Sequence, residues 1–196
     1  MKKLGFLVAA LALFALSACG KVEAPIPPDG KVILEEFGDF QCPACKATQP
    51  LIIKLREHFP EQLIIRFVNF PLPQHEKAFH AAEAAECFRD QDSDKYAQYT
   101  DKLYENQSEL GDELYEKLAA ELGINPELFK TCLNSGDKAA GIRKNMAEGK
   151  ARDVNSTPTL FLNGKLVEDR RYEVIVKQIE DLLKNAPAEG SAAPTQ

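Results

Sequence analysis

Apolar residues fall along this chain in two different periods, and the places where the period changes divide it. Val32, Ile33 and Leu34 form a short continuous apolar run, the mark of a buried strand. Leu51, Leu55 and Phe59 follow at i, i+4 and i+8, which predicts a helix, with Pro50 inside it expected to kink it. A second strand is predicted over Gln62–Asn69, a β-branched run. Strand patterning then stops at Phe70-Pro71-Leu72-Pro73 and helical patterning takes over. Helices are predicted from Glu76 to Phe88, Lys95 to Asn106, Glu113 to Leu122, Pro126 to Asn134 and Asp137 to Glu148. Gly123 closes one of these, while Asn125 and Pro126 supply a cap and a first residue for the next. Tyr96, Tyr99 and Leu103, then Leu114, Leu118 and Leu122, form core-facing stripes. Strand character returns at Thr159–Leu162 and Lys165–Val167 around an Asn163-Gly164 turn. A last helix, Tyr172–Leu183, offers Val174, Ile175, Ile179, Leu182 and Leu183 to the sheet. The order is β, α, β, a helical block, β, β, α.

Cys42 and Cys45 stand where the first strand gives way to the first helix, with Pro43 and Ala44 between them. Residues i and i+3 of a helix share a face, close enough for a disulfide to form and break there. Pro43 suits a first helical turn, where its missing N–H costs nothing. A helix N-terminus brings unpaired N–H groups and partial positive charge, which favour a thiolate at Cys42. Cys42 is therefore the expected exposed nucleophile, and Cys45, one turn in, the buried resolving thiol. A structural disulfide or half of a zinc site is the alternative, but zinc needs a second ligand pair and no second C-x-x-C exists.

The two ends carry a different message. Lys2 and Lys3, an apolar run from Leu4 to Leu16 and then Ser17-Ala18-Cys19 read as a lipoprotein signal peptide over residues 1–18. Cys19 would be the acylated first residue of the mature chain, giving a lipid anchor to a membrane. An ordinary signal peptide with an incidental cysteine is the alternative. Residues 19–30, with Pro25, Pro27 and Pro28, read as a tether, and residues 186–196 as a disordered tail. With 24 basic against 30 acidic residues the net charge is −6, and cleavage before Cys19 would remove Lys2 and Lys3 as well. Nucleic acid is excluded as a partner on this balance. Export leaves an even set of cysteines, and Cys87 and Cys132 fall in two different predicted helices. They are either a second, structural disulfide or, since Cys132 follows Leu128 by four residues on an apolar face, a buried thiol and its unbonded counterpart. His75 and His80 sit five apart, which turns them away from one another on a helix and argues against metal.

The run Glu36-Phe37-Gly38-Asp39-Phe40-Gln41-Cys42-Pro43-Ala44-Cys45 resembles the active-site segment of the DsbA-like branch of the thioredoxin superfamily. Phe70-Pro71-Leu72-Pro73-Gln74-His75 through Ala85-Glu86-Cys87, and Val154-Asn155-Ser156-Thr157-Pro158-Thr159-Leu160-Phe161-Leu162-Asn163-Gly164, match that branch too. The resemblance spans residues 31 to 184. It implies an α/β thioredoxin fold, with parts at 31–75 and 153–185 joined into one sheet and an inserted helical domain at 76–152. It implies that Cys42 and Cys45 are the catalytic pair, and that Pro158 is cis and packs against them. The backbone of Thr157 would dock an extended substrate peptide. Glu36 would be a buried acid that affects proton transfer at the buried thiol, the alternative being a solvent-facing carboxylate on the strand. Glu35 points to the other face, and the pattern leaves open which face lies inside. Ala44 stands where strongly oxidising relatives carry a histidine, so a less extreme potential is expected.

The function expected is that of an extracytoplasmic protein-disulfide oxidoreductase in the bacterial cell envelope or periplasm, acting on unfolded or reduced exported proteins. A quinone-linked membrane oxidase or reductase would recycle it. It would work as a monomer with no cofactor and no metal. The alternatives are a reductase or isomerase of exported cysteines and a non-catalytic peptide-binding, chaperone-like lipoprotein.

Overall fold

The computed structural model describes residues 30–185. The expected signal peptide, Cys19, all of the expected tether before Gly30 and the expected 186–196 tail lie outside the described residues. Strand β1 (Val32–Gly38) occupies the middle of the sheet and is buried along its whole length. It pairs in parallel with β2 (Leu63–Asn69) and antiparallel with β3 (Thr159–Leu162), which pairs in turn with β4 (Lys165–Leu166). The order β2-β1-β3-β4 joins the two halves of the patterning into one sheet. Asn163 and Gly164 both have positive φ, 45° and 78°, as a tight hairpin turn demands.

Helices cover both faces of this sheet, which answers the question the strand pattern left open. Helix α1 (Pro43–His58) and helix α7 (Tyr172–Lys184) lie on one face, where Val32 and Leu34 meet Ile52, Leu55, Ile175 and Ile179. On the other face Phe37 packs with Val68, Phe70, Val154 and Phe161. A strand covered on both sides can be apolar throughout. Glu35 and Glu36 are therefore both buried, one on each face. Helix α1 runs on through Pro50 as one element.

Between β2 and β3 come α2 (Ala78–Gln91), α3 (Tyr96–Glu105), a short 3₁₀ turn (Gln107–Glu109), α4 (Asp112–Glu121), α5 (Pro126–Ser135) and α6 (Ala139–Ala151). Small residues Ala81, Ala82, Ala84 and Ala85 line the buried side of α2, and Phe88 stacks on Tyr99 at 4.3 Å between ring centres. Asn125 caps α5 by accepting from the Leu128 N–H at 3.1 Å. Leu128 itself is 61% exposed, whereas Phe129 and Leu133 are buried. The inward face of α5 thus lies one residue further on than the Leu128–Cys132 spacing suggests. Cys87 and Cys132 are bonded to each other, joining α2 to α5 with Cα atoms 5.8 Å apart. Phe40, Cys42 and Cys45 belong to the same buried cluster as this block, so the cysteine pair sits where the end of the sheet meets the helices.

Candidate active site

The site begins where β1 ends. A Cβ on Gly38 would fall 2.4 Å from the Phe67 ring and 3.1 Å from the Tyr104 hydroxyl, so the strand can lie this close to both only as glycine. Asp39 then turns the chain. Its buried carboxylate accepts from the Gln41 N–H at 2.7 Å, the Leu72 N–H at 2.8 Å and His75 Nδ1 at 2.7 Å, tying the loop after β1 to the loop after β2. The Asp39 carbonyl accepts from the Cys42 N–H at 3.1 Å.

Cys42 is the N-cap of α1, in extended conformation at φ −75°, ψ 119°, with Pro43 as the first helical residue and no acidic side chain in the first turn. Pro43 and Ala44 are exposed. Cys42 is 7% exposed and Cys45 0%, so the order of burial is the expected one, but the nucleophile shows only a sliver of surface. The cause is the loop before β3. The Thr157–Pro158 peptide is cis, and the Cys42 thiol donates to the Thr157 carbonyl at 3.4 Å. Thr157 and Pro158 are both buried. Both cysteines are free thiols.

Beneath Cys45 the electrostatics oppose charge. Burial pushes the Cys45 thiol far above its ordinary range, and negative charge at Glu36 and Cys42 adds to this. Burial also raises Glu36, from 4.5 to about 7, against the opposing hydrogen bond from Gln49, whose Nε2 donates at 3.2 Å. The alternative of a solvent-facing Glu36 is thereby corrected: α1 covers that face of the strand. A cavity of about 250 Å³ between α1, β2 and α3 is lined by Glu36, Gln49, Arg56, Tyr96, Thr100 and Asp101.

Glu35, on the opposite face, is paired with two arginines. Arg66 reaches it at 2.5 Å and Arg152 at 2.8 Å, and both arginines also meet Glu148. Arg152 lies over the Phe161 ring at 4.0 Å and leads into the cis-proline loop. The histidines serve separate purposes. His75 holds Asp39, His80 bridges Glu83 and Asp112, and His58 meets the Tyr172 hydroxyl at 2.5 Å.

Several of these residues escape a reading of the sequence. Asp39 leaves a local trace, since an aspartate two residues before a backbone N–H readily forms such a turn. Gln49, Arg152 and Gln107, whose amide reaches the Phe40 and Cys42 carbonyls, act across long stretches of chain and leave none.

Comparison with known proteins agrees with this geometry. The thioredoxin family model matches residues 27–181, and the chain belongs to that family. It is 29% identical over 185 residues to the "Probable disulfide bond formation protein D" of Bacillus anthracis, covering 88% of this chain and 82% of that one. Its structure is similar to that of oxidised BdbD from Bacillus subtilis, with TM-score 0.72 and 27% identity, covering 81% of this chain and 90% of that one. It is also 33% identical over 141 residues to "Na(+)/H(+) antiporter NhaA 1" of Mycolicibacterium gilvum, a match covering 70% of this chain. The matched segment makes up 22% of the antiporter's length.

Proposed function

We propose that this protein is a thiol–disulfide oxidoreductase that forms or exchanges disulfides in exported proteins through Cys42 and Cys45. One observation carries the reading: a cysteine caps a helix beneath the carbonyl that precedes a cis-proline, with its partner sealed one turn below. Family membership and the disulfide-forming relatives support it.

In the oxidised protein a substrate thiolate attacks the Cys42 sulfur. The Cys42–Cys45 bond breaks, and Cys45 leaves with the electron pair. Because its buried setting resists charge, Cys45 takes up a proton, and Glu36 is the buried acid on that side of the strand able to exchange one near neutral pH. A second substrate thiolate then attacks the substrate sulfur of the mixed disulfide and releases Cys42. The substrate has lost two electrons and two protons, and the protein pair has gained the electrons. The extended substrate pairs with the Thr157 backbone, a mode that tolerates many sequences. The helical block forms one wall of the groove.

Lipid anchoring through Cys19, an envelope location and recycling by a membrane redox enzyme complete the proposal. Among the described residues no helix is long and apolar enough to cross a membrane. The test is oxidation of a reduced two-cysteine peptide by the disulfide form. Wild-type protein is expected to convert it, and Cys42→Ser to do nothing. Equal turnover by both would assign the site an inert role.

A further inference from the structure

Gln107 opens the 3₁₀ turn that joins α3 to α4, and its side chain spans the boundary between the helical block and the redox loop. Its amide Nε2 donates to the Phe40 carbonyl at 2.8 Å and to the Cys42 carbonyl at 2.9 Å. The Cys42 carbonyl also accepts from the Lys46 N–H at 3.2 Å, as the first turn of α1 requires. Two neighbouring residues strengthen the junction. Lys46 Nζ donates to the Glu105 carbonyl at 3.0 Å, and the Tyr104 ring lies 5.1 Å from that of Phe40. Phe40 is fully buried.

We propose that Gln107 is a positioning residue of the redox centre, whose two donated hydrogen bonds favour the reduced pair over the disulfide. The inference rests on the oxidoreductase reading of Cys42 and Cys45. Its physical basis is local. Carbonyl oxygens carry partial negative charge, and the two that Gln107 engages belong to the loop bearing Cys42, one of them to Cys42 itself. Reduction frees the sulfur of that residue to carry the negative charge that thiol–disulfide exchange requires, in a setting of low effective dielectric. Donors drawn onto these oxygens offset their repulsion of the new charge, and they matter less when the sulfur is bonded and neutral. The same bonds hold the cap turn that places the sulfur at the N-terminus of α1.

Gln107→Met keeps the length of the side chain and removes both donors. Gln107→Glu puts a negative group against both carbonyls. Gln107→Asn, too short to reach both, serves if either of these fails to fold. Each full-length protein is equilibrated with reduced and oxidised glutathione, and the thermal unfolding of its oxidised and reduced forms is measured beside it. Gln107→Met is expected to move the equilibrium constant on the order of fivefold towards the disulfide form, the share of the two hydrogen bonds' contribution that is specific to the reduced form. Gln107→Glu is expected to move it further the same way. The reduced form should lose more stability than the oxidised form in each. Equal losses in both forms with the glutathione equilibrium unchanged would reduce Gln107 to a structural tie, and a move towards the thiols would reverse its sign; either overturns the inference. If wild-type protein itself fails to equilibrate through Cys42 and Cys45, the oxidoreductase reading fails and this one falls with it.

Discussion

The sulfur of Cys42 lies 3.4 Å from the carbonyl oxygen of Thr157, a residue 115 positions further along the chain. The antiparallel register of β1 on β3 sets that approach, with Phe37 opposite Thr159 and Glu36 opposite Leu160. Each strand residue advances the chain by about 3.3 Å, so a slip of one position would carry the loop away from the sulfur and reverse the face of every side chain. The sheet brings together a helix cap and a cis-proline loop supplied by opposite ends of the fold.

Glu36 links stability to pH. Its pKa in the folded, reduced protein is raised to about 7 from an ordinary 4.5, by burial first, with Asp101 adding to it against the bond from Gln49. The folded state therefore holds the proton more tightly than the unfolded chain. That stability is fully present below pH 4.5 and is lost as pH rises through 7, amounting to about 3 kcal/mol. Urea unfolding of the reduced protein from pH 4.5 to 8 should show this decline, and Glu36→Gln should flatten it. An unchanged slope in the variant would place the titrating group elsewhere.

Removing the Asp39 carboxylate should loosen the loop that carries the cysteines. Asp39→Ala leaves the Gln41 and Leu72 N–H groups and His75 without their acceptor. The two stranded backbone N–H donors alone, in a largely buried setting, cost roughly 3 kcal/mol. The urea midpoint should fall accordingly with the slope unchanged, and a loss under 1 kcal/mol would mean that water takes over the carboxylate's role.

Glu35 is fully buried and depends on two guanidinium groups. Arg152→Ala leaves it with Arg66 alone and should cost roughly 3 kcal/mol, at the low end for breaking a buried pair because one partner remains. The double variant Glu35→Gln with Arg152→Met should recover part of that loss. Additive losses in denaturant unfolding would show that the two residues act independently.

The sequence carries the fold unevenly. Val32–Leu34, Leu51/Leu55/Phe59 and the Asn163-Gly164 turn show their elements plainly, because strand and helix periods and hairpin turns are local. The spacing of Cys42 and Cys45, with Pro43 between them, likewise marks the candidate site by local chemistry alone. What stayed hidden depends on tertiary covering. No local pattern shows that β1 is roofed on both faces, which leaves Glu36's burial undecided, or that the loop before β3 closes over Cys42. Leu128 misled for a related reason: α5 presents Phe129 and Leu133 inwards, and one residue of rotation separates the two readings. Whether Cys87 and Cys132 meet depended on the packing of α2 against α5, which only the assembled block settles.

On the proposed function, Cys42 is the sulfur through which substrates exchange. The direct measurement is covalent trapping with the Cys45→Ser variant, in which a mixed disulfide has no internal resolving thiol. The reduced variant is incubated with a peptide disulfide and digested without reductant, and the adduct is located by mass spectrometry. One peptide per chain joined to Cys42, absent from a Cys42→Ser control, is the expected result. Failure to form that adduct under conditions in which a free thiol of ordinary reactivity does so would contradict it.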